Sequence, residues 1–60
     1  MDIEILRSEC DALLLALLGD ADLVDRWWVG DNKGFGGRKP IDVDITEVHE
    51  YLIRYAYGGW

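Results

Sequence analysis

The fold of this chain is decided by residues 1–19, MDIEILRSECDALLLALLG, in which apolar side chains recur at spacings of three and four. This period predicts an amphipathic helix over Met1–Gly19. Asp2 is placed to cap its start, and Gly19 suits the position just past its end, where a positive φ costs glycine little. The apolar stripe is wide enough to pack on this chain with one face and on a second chain with another. Its members are Leu6, Cys10, Leu13, Leu14, Leu17 and Leu18, flanked by Ala12, Leu15 and Ala16.

Two shorter helices are predicted to follow. Asp20 is the expected N-cap of the first, which ends at Gly30 after about two and a half turns. The second begins at Asp44, in a spacing that resembles a capping box, or at Thr46, and ends at Gly58. Their predicted apolar faces are Ala21, Val24, Trp27 and Trp28 in the first, and Ile45, Val48 and Leu52 with Tyr55 or Ala56 in the second.

The segment Gly30–Pro40 between these helices contains four glycines and one proline in eleven residues, which indicates a loop. Loops of this length in small domains tend to be functional. Phe35 is expected to pin the loop to the core. A phosphate-binding loop would need a preceding strand and a Gly-Lys-Ser/Thr sequence, whereas Gly37 is followed by Arg38 and Lys39. The prediction is therefore one all-α domain, residues 1–60, with three helices and a Gly-rich loop between the second and third.

Composition argues against several function classes. The net charge is −6, from twelve acidic and six basic residues, and the local basic cluster of Lys33, Arg38 and Lys39 is too weak to predict nucleic-acid binding. One cysteine and one histidine form neither an internal disulfide nor a zinc site, so no metal, cofactor or catalytic residue is predicted. The longest apolar run, residues 12–18, is too short to span a bilayer, and the start lacks signal-peptide features. The expectation is a cytoplasmic, non-enzymatic protein, stabilised by association with a basic partner.

The tryptophans point to protein binding. Trp27 and Trp28 are adjacent and lie about 100° apart on a helix, so one can fill the core while the other, taken here as Trp28, contacts a partner. The alternative is that both are partly buried. Trp60 follows two glycines at the end of the sequence, after Tyr55 and Tyr57. An apolar ring there can dock in a pocket of a partner, or fold back onto its own helix.

Four segments, taken in order, resemble a known family. They are Leu17-Leu-Gly-Asp20, Arg26-Trp-Trp28, Asn32-Lys-Gly-Phe-Gly-Gly-Arg-Lys-Pro-Ile-Asp-Val43 and Tyr55-Ala-Tyr-Gly58. Their order and spacing are similar to those of the MbcA/ParS/Xre antitoxin C-terminal domain, the toxin-binding domain of bacterial type II toxin–antitoxin systems. The resemblance covers residues 13 to 60, and its most specific part is residues 35–42.

The resemblance implies a partner that carries the RES domain, a toxin that consumes NAD or transfers ADP-ribose. In this family the C-terminal end of the antitoxin lies at the active-site cleft of the toxin. The corresponding blocking residues here are Tyr55, Tyr57, Gly58, Gly59 and Trp60. Arg38 and Lys39 are further candidates for toxin contact; they lie in the segment 32–43, which we call the motif loop. The residues expected to shape the motif are Gly19, Asp20, Trp27, Phe35, Gly36, Gly37 and Pro40.

The sequence departs from the family pattern in two ways. Family members usually carry an N-terminal helix-turn-helix domain, which this sequence lacks, so repression of its own gene by this chain alone is not expected. The stretch between Pro40 and the last helix is also shorter than is typical, which would shift the tail. Two other functions stay open at this point. One is a phage or mobile-element inhibitor that uses the same fold against another host protein, and the other is a homodimerisation domain that pairs through the first helix.

Overall fold

The computed structural model describes residues 2–58 and has three helices, α1 (Ile3–Leu18), α2 (Ala21–Val29) and α3 (Ile45–Tyr57). The connection between α2 and α3 contains two short 3-10 turns, Lys33–Phe35 and Pro40–Asp42. Within the described residues there is no strand, only an isolated antiparallel bridge between Asn32 and Arg38. The predicted all-α, three-helix fold is confirmed. None of the helices in residues 2–58 combines the length and apolar character needed to cross a membrane.

Each helix begins at an aspartate. Asp2, Asp20 and Asp44 have non-helical backbone angles, and each side chain accepts a hydrogen bond from the backbone N–H two residues further along. These bonds satisfy amide groups that have no partner within the helix. Asp44 rather than Thr46 therefore caps α3. Gly19 follows α1 with a φ of 78°, as the sequence predicts.

The core lies between α1 and α3 and is closed by α2 and the loop. Along α1 the buried positions are Leu6, Cys10 and Leu14, which are four residues apart and mark the centre of the predicted stripe. Leu17 and Leu18, also predicted for this stripe, are exposed because they lie in the last turn of α1, beyond the surface that the other helices cover. The buried cluster consists of Cys10, Leu14, Val24, Trp28, Phe35, Val43, Val48 and Leu52.

Helices α1 and α3 run in the same direction. Near their starts Ile3 and Ile45 line one cleft, and near their ends Leu17 and Tyr55 line another. Between these points, Nε2 of His49 lies 2.7 Å from Oε2 of Glu9. The carboxyl ends of the two longest helices therefore lie together at one end of the domain.

Candidate protein-binding surface

The two adjacent tryptophans have different environments. Trp28 is only 3 % exposed, and its Nε1–H donates a 2.8 Å hydrogen bond to Oδ1 of Asp11 on α1. The guanidinium carbon of Arg7 lies 4.0 Å from the Trp28 ring centre, which is a cation–π contact. Trp28 is thus part of the core, and its prediction as a partner contact is wrong, because α1 and the loop cover its side of α2. Trp27 is half-buried at the edge of the core.

A row of aromatic rings leads from this core to the surface. Trp28 makes an edge-to-face contact with Trp27 at 5.2 Å, and Trp27 makes another with Phe35 at 6.3 Å. Phe35 lies 4.7 Å from Tyr51, which stacks on Tyr55 at 6.5 Å with an angle of 21° between the rings. These separations are typical of stabilising aromatic pairs. The exposed ring of Tyr55 is therefore connected to the core by a continuous series of ring contacts.

The last turns of α1 and α3 border an apolar groove of about 250 Å³. Tyr55 is 64 % exposed at its rim, and the exposed Leu17 and Leu18 face it from α1. A cluster of this kind at the surface of a small domain is a candidate contact site for another protein. We call it the apolar groove; its lining residues are Leu14, Leu17, Leu18, Trp27, Tyr51, Leu52 and Tyr55.

Tyr57 lies on the other side of α3 and is 71 % exposed. It lines a second, shallower groove of about 320 Å³ together with Leu13 and Ile53. Gly58 ends α3, and its N–H donates to the carbonyl of Arg54 at 2.9 Å. Tyr55, Tyr57 and Gly58 together form what we call the aromatic end. Gly59 and Trp60, which are predicted to extend it, lie outside the described residues.

The motif loop is folded tightly onto α3. Phe35 is buried in the core, as predicted, and Pro40 is also buried. Gly36 and Gly37 have φ values of 69° and 85°, a region that side chains rarely adopt. Gly34 packs so closely against the Tyr51 ring that a β-carbon there would lie 2.6 Å from a ring carbon. The loop glycines are therefore required by turn geometry and close packing.

Arg38 has a structural role in this loop. Its Nε–H donates to the carbonyl of Phe35 at 2.9 Å, and its Nη2 lies 3.5 Å from Oε2 of Glu47. It therefore ties the loop to the first turn of α3, although its side chain is still more than half exposed. Lys39 is exposed and is the N-cap of the second 3-10 turn without a side-chain bond. Of the two basic residues predicted for partner contact, Lys39 has the freer side chain.

Sequence reasoning missed two of these loop residues. The side chain of Asn32 accepts a hydrogen bond from the Gly34 N–H at 2.8 Å and so starts the first 3-10 turn. Asparagine two residues before glycine is a turn signal that was available in the sequence. The packing of Gly34 on Tyr51 had no local signal, because it joins residues seventeen positions apart.

Cys10, the cysteine of the chain, is a free thiol that lies in the core. In residues 2–58 no three His, Cys, Asp or Glu side chains are grouped to hold a metal ion. Cys10 is fully buried, and burial, reinforced by the negative charge of Asp11, raises the pKa of its thiol to about 11. A thiol in this state is protonated at neutral pH and is a poor nucleophile. The large apolar side chains exposed on the surface include Leu17, Leu18, Tyr55 and Tyr57.

Comparison of the chain with protein-family models, with curated proteins and with solved structures finds no match. The function of the chain is therefore inferred from its own residues. Three of the motif segments described above occupy defined places in the fold. The segment 17–20 forms the α1–α2 junction, the segment 32–43 forms the folded loop, and the segment 55–58 forms the aromatic end.

Proposed function

We propose that this protein is a non-catalytic inhibitor that binds a protein partner through its aromatic end, in the manner of the antitoxin family whose motifs it resembles. The proposed partner is a RES-domain toxin, and the proposed mechanism is closure of its active-site cleft by Tyr55, Tyr57 and the residues that follow them. The observation that carries the proposal is the pair of exposed tyrosines on the last turn of α3, beside the apolar groove.

The arrangement of this end supports insertion into a cleft. Tyr55 and Tyr57 point to different sides of α3, so a cleft that receives the helix end is contacted on both walls. Tyrosine is favoured in protein interfaces because its ring supplies large contact area with few rotatable bonds. The sequence continues from Gly58 to Gly59 and Trp60, which adds a further ring to the segment that the proposal places in the cleft.

The test is an NAD-consumption assay with a purified RES-domain toxin encoded beside this gene. Addition of the full chain is expected to abolish consumption at equimolar ratio. The double variant Tyr55→Ala/Tyr57→Ala is expected to raise the inhibition constant by at least about a hundredfold, since hot-spot rings contribute about 2 kcal/mol or more. Truncation after Gly58 keeps the helix end intact and isolates the contribution of the last two residues.

A matched control is Val29→Ala, which removes an exposed apolar side chain at the far end of α2. Its inhibition constant should equal that of the unchanged protein. The occlusion mechanism is wrong if the tyrosine variant and the truncation both inhibit as well as the full chain. If the full chain neither binds nor inhibits the toxin, the partner is wrong, and the same variants then test binding to another host protein.

A further inference from the structure

The charge of the protein is concentrated in one part of the fold. Residues 1–25 contain seven of the twelve acidic residues and a single basic residue, Arg7, so this part carries a net charge of −6. Residues 26–60 contain five acidic and five basic residues and are neutral overall. The whole net charge therefore lies on the part of the chain that forms α1 and the first half of α2.

The outward face of α1 carries four residues at heptad spacing, with a large apolar side chain at each end and two small residues between them. Ile5, Ser8, Ala12 and Leu15 are spaced by three, four and three residues, and all four are exposed. They lie on the side of the helix opposite to Cys10 and Leu14, about 180° around its axis. Ile5 is 52 % exposed and Leu15 is 48 % exposed. We call these four residues the outer stripe.

Three acidic residues flank the outer stripe, and two of them also hold contacts within the domain, Glu9 with His49 and Asp11 with Trp28 and Arg7. With Ile5 and Ala12 at a positions and Ser8 and Leu15 at d positions, Glu4 and Asp11 occupy g positions and Glu9 occupies an e position. In paired helices the e and g residues decide which partner is accepted, through the sign of their charge. The basic residue of α1, Arg7, lies at a c position and contacts Trp28 instead.

We propose that the outer stripe is a second docking surface, distinct from the apolar groove, and that its occupant is an amphipathic helix of another protein with lysine or arginine at its e and g positions. The small side chains of Ser8 and Ala12 allow close approach of the two helix axes. Ile5 and Leu15 then supply the apolar contacts at the two ends of the stripe. A second copy of this chain would place acidic flanks against acidic flanks, which like-charge repulsion disfavours.

The probe is a synthetic peptide of about three heptads with isoleucine at a, leucine at d and lysine at e and g. A control peptide carries glutamate in place of each lysine. Calorimetric titration into the full chain is expected to show binding of the lysine peptide that weakens as salt rises, and no binding of the glutamate peptide. No binding of the lysine peptide, or equal binding of both peptides, would overturn the proposal.

Two variants place the contact on the protein. Ala12→Arg puts a charge in the centre of the stripe and is expected to weaken binding at least about tenfold. Leu23→Arg introduces the same side chain at an exposed position of α2 and should leave the affinity unchanged. If Ala12→Arg loses helicity by circular dichroism, Glu4→Gln removes one flanking charge and leaves the contact between Glu9 and His49 in place, with an expected loss of about twofold.

Analytical sedimentation of the protein alone tests the remaining alternative, that a second copy of this chain covers the stripe. A monomer agrees with the proposal. A dimer that Ala12→Arg dissociates would show that a second copy covers the stripe, which would overturn the assignment of a basic partner. The toxin-inhibition assay with Tyr55→Ala distinguishes the two surfaces, because Ala12 lines the groove of Tyr57 but not the apolar groove that Tyr55 borders.

Discussion

The indole N–H of Trp28 on α2 and the carboxylate of Asp11 on α1 are joined by a hydrogen bond of 2.8 Å. This bond crosses seventeen residues of sequence and gives the buried ring its polar partner. Arg7 stacks on the same ring and lies 3.7 Å from the same carboxylate oxygen. The three side chains fix how α2 packs on α1, and they explain why Trp28 rather than Trp27 occupies the core.

Asp11→Ala should therefore destabilise the fold more than an ordinary surface substitution. It leaves the Trp28 N–H without an acceptor, at a cost of about 1–3 kcal/mol. Asp11→Asn keeps an oxygen acceptor and should lose less than half as much. Urea unfolding followed by tryptophan fluorescence measures both changes. Equal stability of Asp11→Ala and the unchanged protein would mean that the bond contributes nothing.

Gly34→Ala should be costly because of Tyr51. The added β-carbon would lie 2.6 Å from a ring carbon, so the loop or the ring must move, at about 1–3 kcal/mol. Gly58→Ala is the matched control, since its β-carbon meets its nearest neighbour at 3.8 Å and its φ is −143°. The control should change the free energy of unfolding by less than about 0.5 kcal/mol.

A double-variant cycle locates the cause of the Gly34 effect. In a Tyr51→Leu background the penalty of Gly34→Ala should fall by at least about half, because the residues are in direct contact and their effects do not add. The same penalty in both backgrounds would mean that the loop backbone, and not the ring, requires glycine at position 34. Thermal unfolding by circular dichroism is sufficient for the comparison.

The start of α3 provides a test of capping. Asp44→Ala removes the side chain that accepts from the Thr46 N–H at 2.9 Å, and should cost about 1 kcal/mol. Thr46→Ala, an exposed residue inside the first turn, should change stability by less than about 0.5 kcal/mol. Chemical denaturation of the two variants measures the change in the free energy of unfolding for each. The assignment of the cap is wrong if Thr46→Ala has the larger effect.

Burial of Cys10 predicts a loss of stability at alkaline pH. Its thiol ionises near pH 9.0 in an unfolded chain, but burial raises the pKa to about 11 in the folded protein. Between these values the unfolded chain releases a proton that the folded protein retains, so stability falls as pH rises. Stability is undiminished below pH 9.0, and the loss reaches about 2–3 kcal/mol by pH 11.

Other groups also titrate in this range, so the effect of Cys10 must be read as a difference. Cys10→Ala lacks the thiol, and its unfolding free energy should fall less steeply between pH 9.0 and 11 than that of the unchanged protein. A parallel pH dependence of the two proteins would contradict the prediction. At pH 8, the buried thiol of the folded protein should react with a disulfide reagent only as fast as the domain opens.

The helices and their ends could be predicted because their signals are local. Asp2, Asp20 and Asp44 each precede an apolar period, and Gly19 and Gly58 close two of them, so caps and period agree. Phe35 could be predicted to be buried because it is the apolar residue in a glycine-rich segment. These features depend on residues within a few positions of one another, which is the range over which a sequence pattern is informative.

The packing between helices could not be predicted in the same way. Trp27 and Trp28 are chemically identical neighbours, and the choice between them depends on where α1 supplies an acceptor for the indole. The exposure of Leu17 and Leu18 depends on how much of α1 the nine residues of α2 and the loop can cover. The approach of His49 to Glu9, forty residues apart, depends on the parallel course of α1 and α3.

That parallel course has a practical consequence for how the domain can be joined to other proteins. Because α1 and α3 start together and finish together, the chain enters the domain at Asp2 on one pole and leaves α3 at Gly58 on the opposite pole. The sixteen residues of α1 separate these poles by about 24 Å. A fusion tag, a fluorophore or an upstream domain attached ahead of Asp2 would stand clear of Tyr55 and Tyr57, whereas any attachment behind Gly58 would sit directly beside them.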